Sequence, residues 1–222
     1  MRKLAGSKFK SQLASLLPPE TPELLEAKGV SFVNRVGIDV VKQVIHSVLC
    51  GENLRDSTEM LTRRRIGMLN GATLVMFLRG CRQYSGFAQR VSQLAAEGLE
   101  GRVSKEERWV LQWVLGLTDK ARQNVLRDAE AALSGYQKSY AHALSEITAR
   151  CKAEYGSLTG EIVLAGEQST VVDWDVLVPL MATIGAQTLA IRGSDKSTYG
   201  KLFERLILGS VLSILGFNHV KQ

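Results

Sequence analysis

Apolar residues recur at helical spacing through most of this chain. Between Ser31 and Leu49 the positions Phe32, Val33, Val36, Val40, Val44 and Val48 mark one face. The β-branched content makes strand a rival for 38–45. Helix is preferred because Val40-Val41 and Val44-Ile45 are paired and break a period-two pattern. A short helix is expected around 7–17, ended by Pro18 and Pro19. Thr21 is then expected to cap another, with Pro22 at its first position. Ser57-x-Glu59 opens the next helix, Asn70-Gly71 reads as a break, and 72–97 read as helix with weak points at Gly80 and Gly86. Ser104-x-x-Glu107 is a capping box just ahead of Trp109, Val110, Trp113 and Val114. The two tryptophans, four apart on an apolar face, belong to the core.

Thr118-Asp119 starts a long helix to about Tyr155, with Leu133, Tyr136, Tyr140, Leu144 and Ile147 along one side. The pattern changes at Gly156. Three glycines and the pairs Ile162-Val163 and Val171-Val172 fit either a hairpin or a loop. Helix returns over Trp174–Ile191, and Gly193-Ser194-Asp195 leads into a last amphipathic helix stopped by Gly216. Prolines stand only at 18, 19, 22 and 179, so nothing interrupts long helices between 23 and 178. The expected organisation is a helical unit over 1–156 and a second unit over 157–222.

Composition changes this picture little: 45% hydrophobic and 23% charged residues are ordinary for a globular chain. No apolar run reaches the roughly 18 residues of a membrane span and no signal-type N-terminus is present, so a soluble, cytoplasmic protein without a membrane partner is expected. Cys50, Cys81 and Cys151 are far apart and form no CxxC, which fits reduced core thiols and not a zinc cluster. Charge is more informative. Residues 1–90 hold 14 Lys+Arg against 7 Asp+Glu; residues 91–222 hold 14 against 15. The excess lies in the first part, around Arg63, Arg64, Arg65, Arg79, Arg82 and Arg90. Two readings stay open there: phosphate contacts, which dominate affinity for nucleic acid, or a solvated basic face. Glycine-rich phosphate loops and a Gly-x-Ser-x-Gly elbow are absent from the sequence. Asp173-Trp174-Asp175 is the best local pair of carboxylates, but it stands at a helix start, where acids cap free N–H groups.

The most specific stretch is the last one. Tyr199-Gly200-Lys201-x-Phe203-Glu204-x-Leu206, followed by Leu215-Gly216-Phe217, resembles the entry into the catalytic sheet of PD-(D/E)XK nucleases, and most closely that of type II restriction endonucleases. The resemblance implies a mainly α chain: a multi-helix domain leading into the first helix and strand of an α/β nuclease core, which is truncated after Gln222. Phe217–Val220 has the composition of that strand, with no partner strand identifiable in the chain. The resemblance further implies a homodimer that cleaves duplex DNA with Mg²⁺, and a helper role near the metal for Glu204, whose other reading is a solvated face with Arg205 and Lys201. Lys196 and Lys201 join the arginines as candidate DNA contacts. The catalytic Asp…Glu-x-Lys set needs an acid two residues before a lysine. Only Glu26-Ala27-Lys28 has that spacing, with no aspartate before it. The segment is therefore expected to bind no metal itself and to be inactive alone. The alternative is a complete, non-catalytic helical domain that binds DNA or a protein partner.

Overall fold

The computed structural model describes residues 11–26, 37–127, 132–203 and 209–217. A 3₁₀ turn at Ala14–Leu16 is followed by α1 (Thr21–Glu26), α2 (Ile38–Leu49), α3 (Leu54–Gln83), α4 (Phe87–Glu100), α5 (Lys105–Val114), α6 (Asp119–Arg127) and α7 (Ala132–Tyr155). An antiparallel hairpin, β1 (Thr159–Val163) and β2 (Ser169–Asp173), precedes α8 (Trp174–Phe203) and α9 (Gly209–Ile214). The chain is thus mainly α, as its spacing predicts.

Two helices of 30 residues each, α3 and α8, form the spine. Each is about 45 Å long at 1.5 Å per residue. They pack against one another, and α1, α2, α4, α5 and α7 pack around them. Met76, Phe77, Phe87, Ala95, Leu111 and Trp113 share one core with Leu180, Ala186 and Ile191 of α8, so apolar burial runs continuously across the expected boundary near 156. Trp174–Ser194 is long and apolar enough by composition to cross a membrane, the one such stretch among the described residues. Its Val176, Val178, Leu180, Ala186 and Ile191 are spent on packing inside the protein.

Several local signals act as the pattern predicts. Ser104 Oγ accepts from Glu107 N at 3.1 Å while Glu107 Oε2 accepts from Ser104 N at 2.9 Å, completing the capping box. Glu107 Oε1 also accepts from Ser11 N at 2.8 Å, which ties the N-terminal segment to α5. Asp173 caps α8, its Oδ1 accepting from Val176 N at 3.1 Å. The hairpin pairs Glu161 with Val171, and Val172 packs with Leu78 and Val176 beneath it. Gly216, at φ +84°, ends α9: its N–H reaches Ser213 O at 3.1 Å and that of Phe217 reaches Leu212 O at 2.9 Å. The strand expected over 217–220 lies, beyond Phe217, outside the described residues.

Other expectations are corrected. Thr21 does not cap α1 with its side chain; it is the helix's first residue, and Oγ1 is buried without a partner. α3 opens at Leu54, ahead of Ser57, and runs straight through Asn70-Gly71. The reason is tertiary. Asn70 Oδ1 accepts from Gln187 Nε2 and Gln187 Oε1 accepts from Thr73 Oγ1, both at 2.8 Å. A side chain held by α8 no longer competes with its own backbone. The helix breaks instead at Gly86, φ +65°. Gly80 stays helical, and Phe87 lies against it: an added Cβ would come within 2.3 Å of the ring. α8 likewise continues through Gly193, so the expected separate last helix begins inside it. Trp113 is core, but Trp109 is half-buried, its Nε1 donating to Asp119 Oδ2 at 3.0 Å. Cys50 is exposed and is not a core thiol, whereas Cys81 and Cys151 are half-buried.

Candidate nucleic-acid interface

Three consecutive helical residues cannot share a face, since each is turned by about 100° from the last. Arg63, Arg64 and Arg65 on α3 accordingly take three different environments. Arg63 projects to solvent with its side chain 76% exposed, and its Nε donates to Glu59 Oε1 at 3.0 Å. Arg64 is exposed beside Gly37. Arg65 turns inward and is only 4% exposed. Its Nε donates to Leu24 O at 2.8 Å and its Nη2 to Leu25 O at 2.7 Å. Both carbonyls belong to α1. Arg65 is therefore a buried staple between α1 and α3, and the expectation that it meets phosphate is corrected.

Arg79 and Arg82, three apart, do share a face, as the sequence suggests. They are turned to the hairpin and not to open solvent. Glu167, in the turn between β1 and β2, accepts from Arg79 Nη2 at 3.4 Å through Oε1 and from Arg82 Nη2 through Oε2. Arg79 also donates to Leu16 O at 3.2 Å and Arg82 to Gln168 O at 3.3 Å. These side chains are 30% and 20% exposed. Their first task is to clamp the hairpin turn onto α3.

The structure adds a residue that sequence reading misses. Arg192 of α8, 57% exposed, donates through Nη2 to the same Glu59 Oε1 at 2.9 Å. The signal is its position one turn before Lys196, hidden by the assumption that Gly193 breaks the helix. With α8 continuous, Arg192 and Lys196 lie four apart on one side. Lys201, five residues further, is rotated from Lys196 by about 140°. The side chains of Lys196 and Lys201, and the whole of Glu204, lie outside the described residues. Where α3 crosses α8, the surface thus carries Arg63 and Arg192 on a single carboxylate, with Arg64 exposed on the adjoining face of α3 beside Gly37. The hydrogen bond from Arg63 holds the Glu59 carboxyl below its usual range, with the charge of Arg192 adding to it against an opposing push from burial. Further along the same helix pair, the Thr73–Gln187–Asn70 network fixes α3 to α8, so the arginines stand on rigid elements.

A Mg²⁺ ion does not fit the described carboxylates. Asp173 is committed to its cap, and Asp175 pairs with Lys152 at 2.6 Å. Among the described residues no three His, Cys, Asp or Glu side chains group as metal ligands.

The sequence profile described as CfrBI restriction endonuclease matches residues 38–222. The chain is 34% identical over 207 residues to the type II restriction enzyme CfrBI of Citrobacter freundii. That alignment covers 92% of this chain and 56% of the relative, so the chain spans little more than half of the relative's length. No solved structure matches the chain.

Proposed function

The chain belongs to the CfrBI restriction endonuclease family, and from that premise we propose that its 222 residues are the DNA-binding and scaffolding part of a type II restriction endonuclease. The whole enzyme cleaves duplex DNA site-specifically with Mg²⁺, in the cytoplasm, as a homodimer whose symmetry matches a palindromic site. The observation that carries the reading is the pair Arg63 and Arg192, two exposed cations on one carboxylate where the two longest helices cross, with Arg64 exposed on the neighbouring face of α3. Guanidinium groups on rigid helices supply phosphate contacts, which position a protein on the duplex. Lys196 extends the set along α8, and Lys201 serves a second face of that helix. Arg79 and Arg82 act one step removed, by holding the hairpin. The PD-(D/E)XK core begins at the C-terminal end of the chain, where Glu204 takes its helper role. No step of the chemistry is assigned to the described carboxylates, and residues 1–222 contain no Asp…Glu-x-Lys set.

Incubating the protein with plasmid and Mg²⁺ tests the reading. Retardation of the DNA without cutting is expected, together with a mass in solution of twice 24.4 kDa. Site-specific cutting by these residues alone would overturn the placement of the chemistry, and absence of binding at low salt would overturn the DNA-binding role.

A further inference from the structure

We propose that Glu59 is an electrostatic gate on this surface: in the free protein its carboxylate holds Arg63 and Arg192, and a DNA phosphate takes its place on binding. The inference rests on the DNA-binding reading above and assigns a specificity-determining residue to it. Both guanidinium groups donate to one oxygen, Oε1, at 3.0 and 2.9 Å. They arrive from different helices, Arg63 from the next turn of α3 and Arg192 from α8, 133 positions along the chain. Two N–H donors converging on a single anionic oxygen is the geometry in which arginines take a phosphate oxygen. The layering favours exchange. Glu59 is 33% exposed, while Arg63 and Arg192 are 76% and 57% exposed, so a phosphate arriving from solvent meets the arginines first.

The other two-arginine cluster is built differently. Arg79 and Arg82 also share one carboxylate, that of Glu167, but both donate to backbone carbonyls as well and are less exposed. They are committed to structure. Arg63 and Arg192 have no hydrogen-bond or ion-pair partner except Glu59 among the described residues. Exposed ion pairs of this kind are weak in water, so exchange for a phosphate is cheap. The functional consequence is restraint. One carboxylate cancels one of the two positive charges and lowers affinity for arbitrary DNA, whose sequence-independent part is electrostatic.

The test is a salt titration of binding to a duplex of arbitrary sequence by the wild-type protein, Glu59→Gln, Arg63→Ala/Arg192→Ala, and the triple variant combining all three changes. Glutamine keeps the shape and removes the charge. Glu59→Gln is expected to bind several-fold more tightly at moderate salt and to steepen the log–log salt slope by up to about 0.9, one phosphate contact. In the Arg63→Ala/Arg192→Ala background the same change is expected to do little. Equal tightening in both backgrounds would make Glu59 a generic negative charge and overturn the gate. Unchanged or weaker binding by Glu59→Gln would overturn it too, by making Glu59 a group that orients the arginines. If neither wild type nor Glu59→Gln binds DNA at low salt, the DNA-binding reading itself falls, and the gate with it.

Discussion

Replacing Arg65 with methionine separates structural from DNA-contacting arginines within one tripeptide. Methionine keeps the aliphatic stem and removes the guanidinium. At least two hydrogen bonds are lost, to Leu24 O and Leu25 O of the buried α1 at 2.8 and 2.7 Å. A hydrogen bond from a charged donor is worth about 1.5–3 kcal/mol, and an orphaned buried acceptor costs a comparable amount. The charge's own burial cost, relieved in the variant, offsets part of this. A net loss of about 3–5 kcal/mol is expected, a large share of the roughly 5–15 kcal/mol by which a domain is stable. Urea unfolding followed by circular dichroism reads it as a lower midpoint at unchanged slope. Arg64→Met, at an exposed position one residue away, is expected to move stability by no more than about 0.5 kcal/mol, while flattening the DNA salt slope by about 0.9. If Arg65→Met kept the wild-type midpoint and lost DNA affinity instead, Arg65 would be a phosphate contact and the inward staple would be refuted.

Glycines in α3 give a second contrast. Gly71→Ala meets nothing within 4 Å and should stabilise, by about 1 kcal/mol of helix propensity; Gly80→Ala would press a Cβ to 2.3 Å from Phe87 and should destabilise by about 1–3 kcal/mol. Thermal unfolding checks the signs, and a stabilising Gly80→Ala would show that the Phe87 ring is not held there. Thiol chemistry is a third case: burial, with the charge of Asp173 adding, pushes the Cys81 thiol up to about 11. At pH 8 only about one Cys81 in a thousand is thiolate, so a disulfide reagent should label exposed Cys50 first, and mass spectrometry showing equal rates would contradict the packing. In a cleavage-competent enzyme, Glu204→Ala should lower cutting more than binding, because a helper near the metal acts mainly in the transition state; equal loss of both would assign Glu204 to DNA contact.

What the sequence makes legible is set by how local the deciding interactions are. The Ser104–Glu107 box, the Asp173 cap and the Gly216 stop are each closed within six residues, and each stands where the pattern puts it. Asn70-Gly71 and Gly193 read as breaks because nothing within a few residues says otherwise. For Asn70 the answer comes from Gln187, 117 positions away. Candidate site residues obey the same rule. Composition draws attention to Arg63–Arg65 but cannot tell which of three successive residues faces α1. Arg192 carries no local signal until α8 is known to be continuous and to cross α3. Arg79 and Arg82 do share a face, yet their partner Glu167 sits in a hairpin turn 85 or more positions on, which no spacing within α3 reveals.

The most direct measurement is the salt dependence of duplex binding by the wild-type protein and by Arg63→Ala/Arg64→Ala/Arg192→Ala. The log–log slope is expected to flatten by about 1.8, two phosphate contacts at about 0.9 each, one shared by Arg63 and Arg192 and one at Arg64, with the unfolding midpoint nearly unchanged. An unchanged slope and affinity would leave these arginines as a solvated face and contradict the proposed DNA-binding surface.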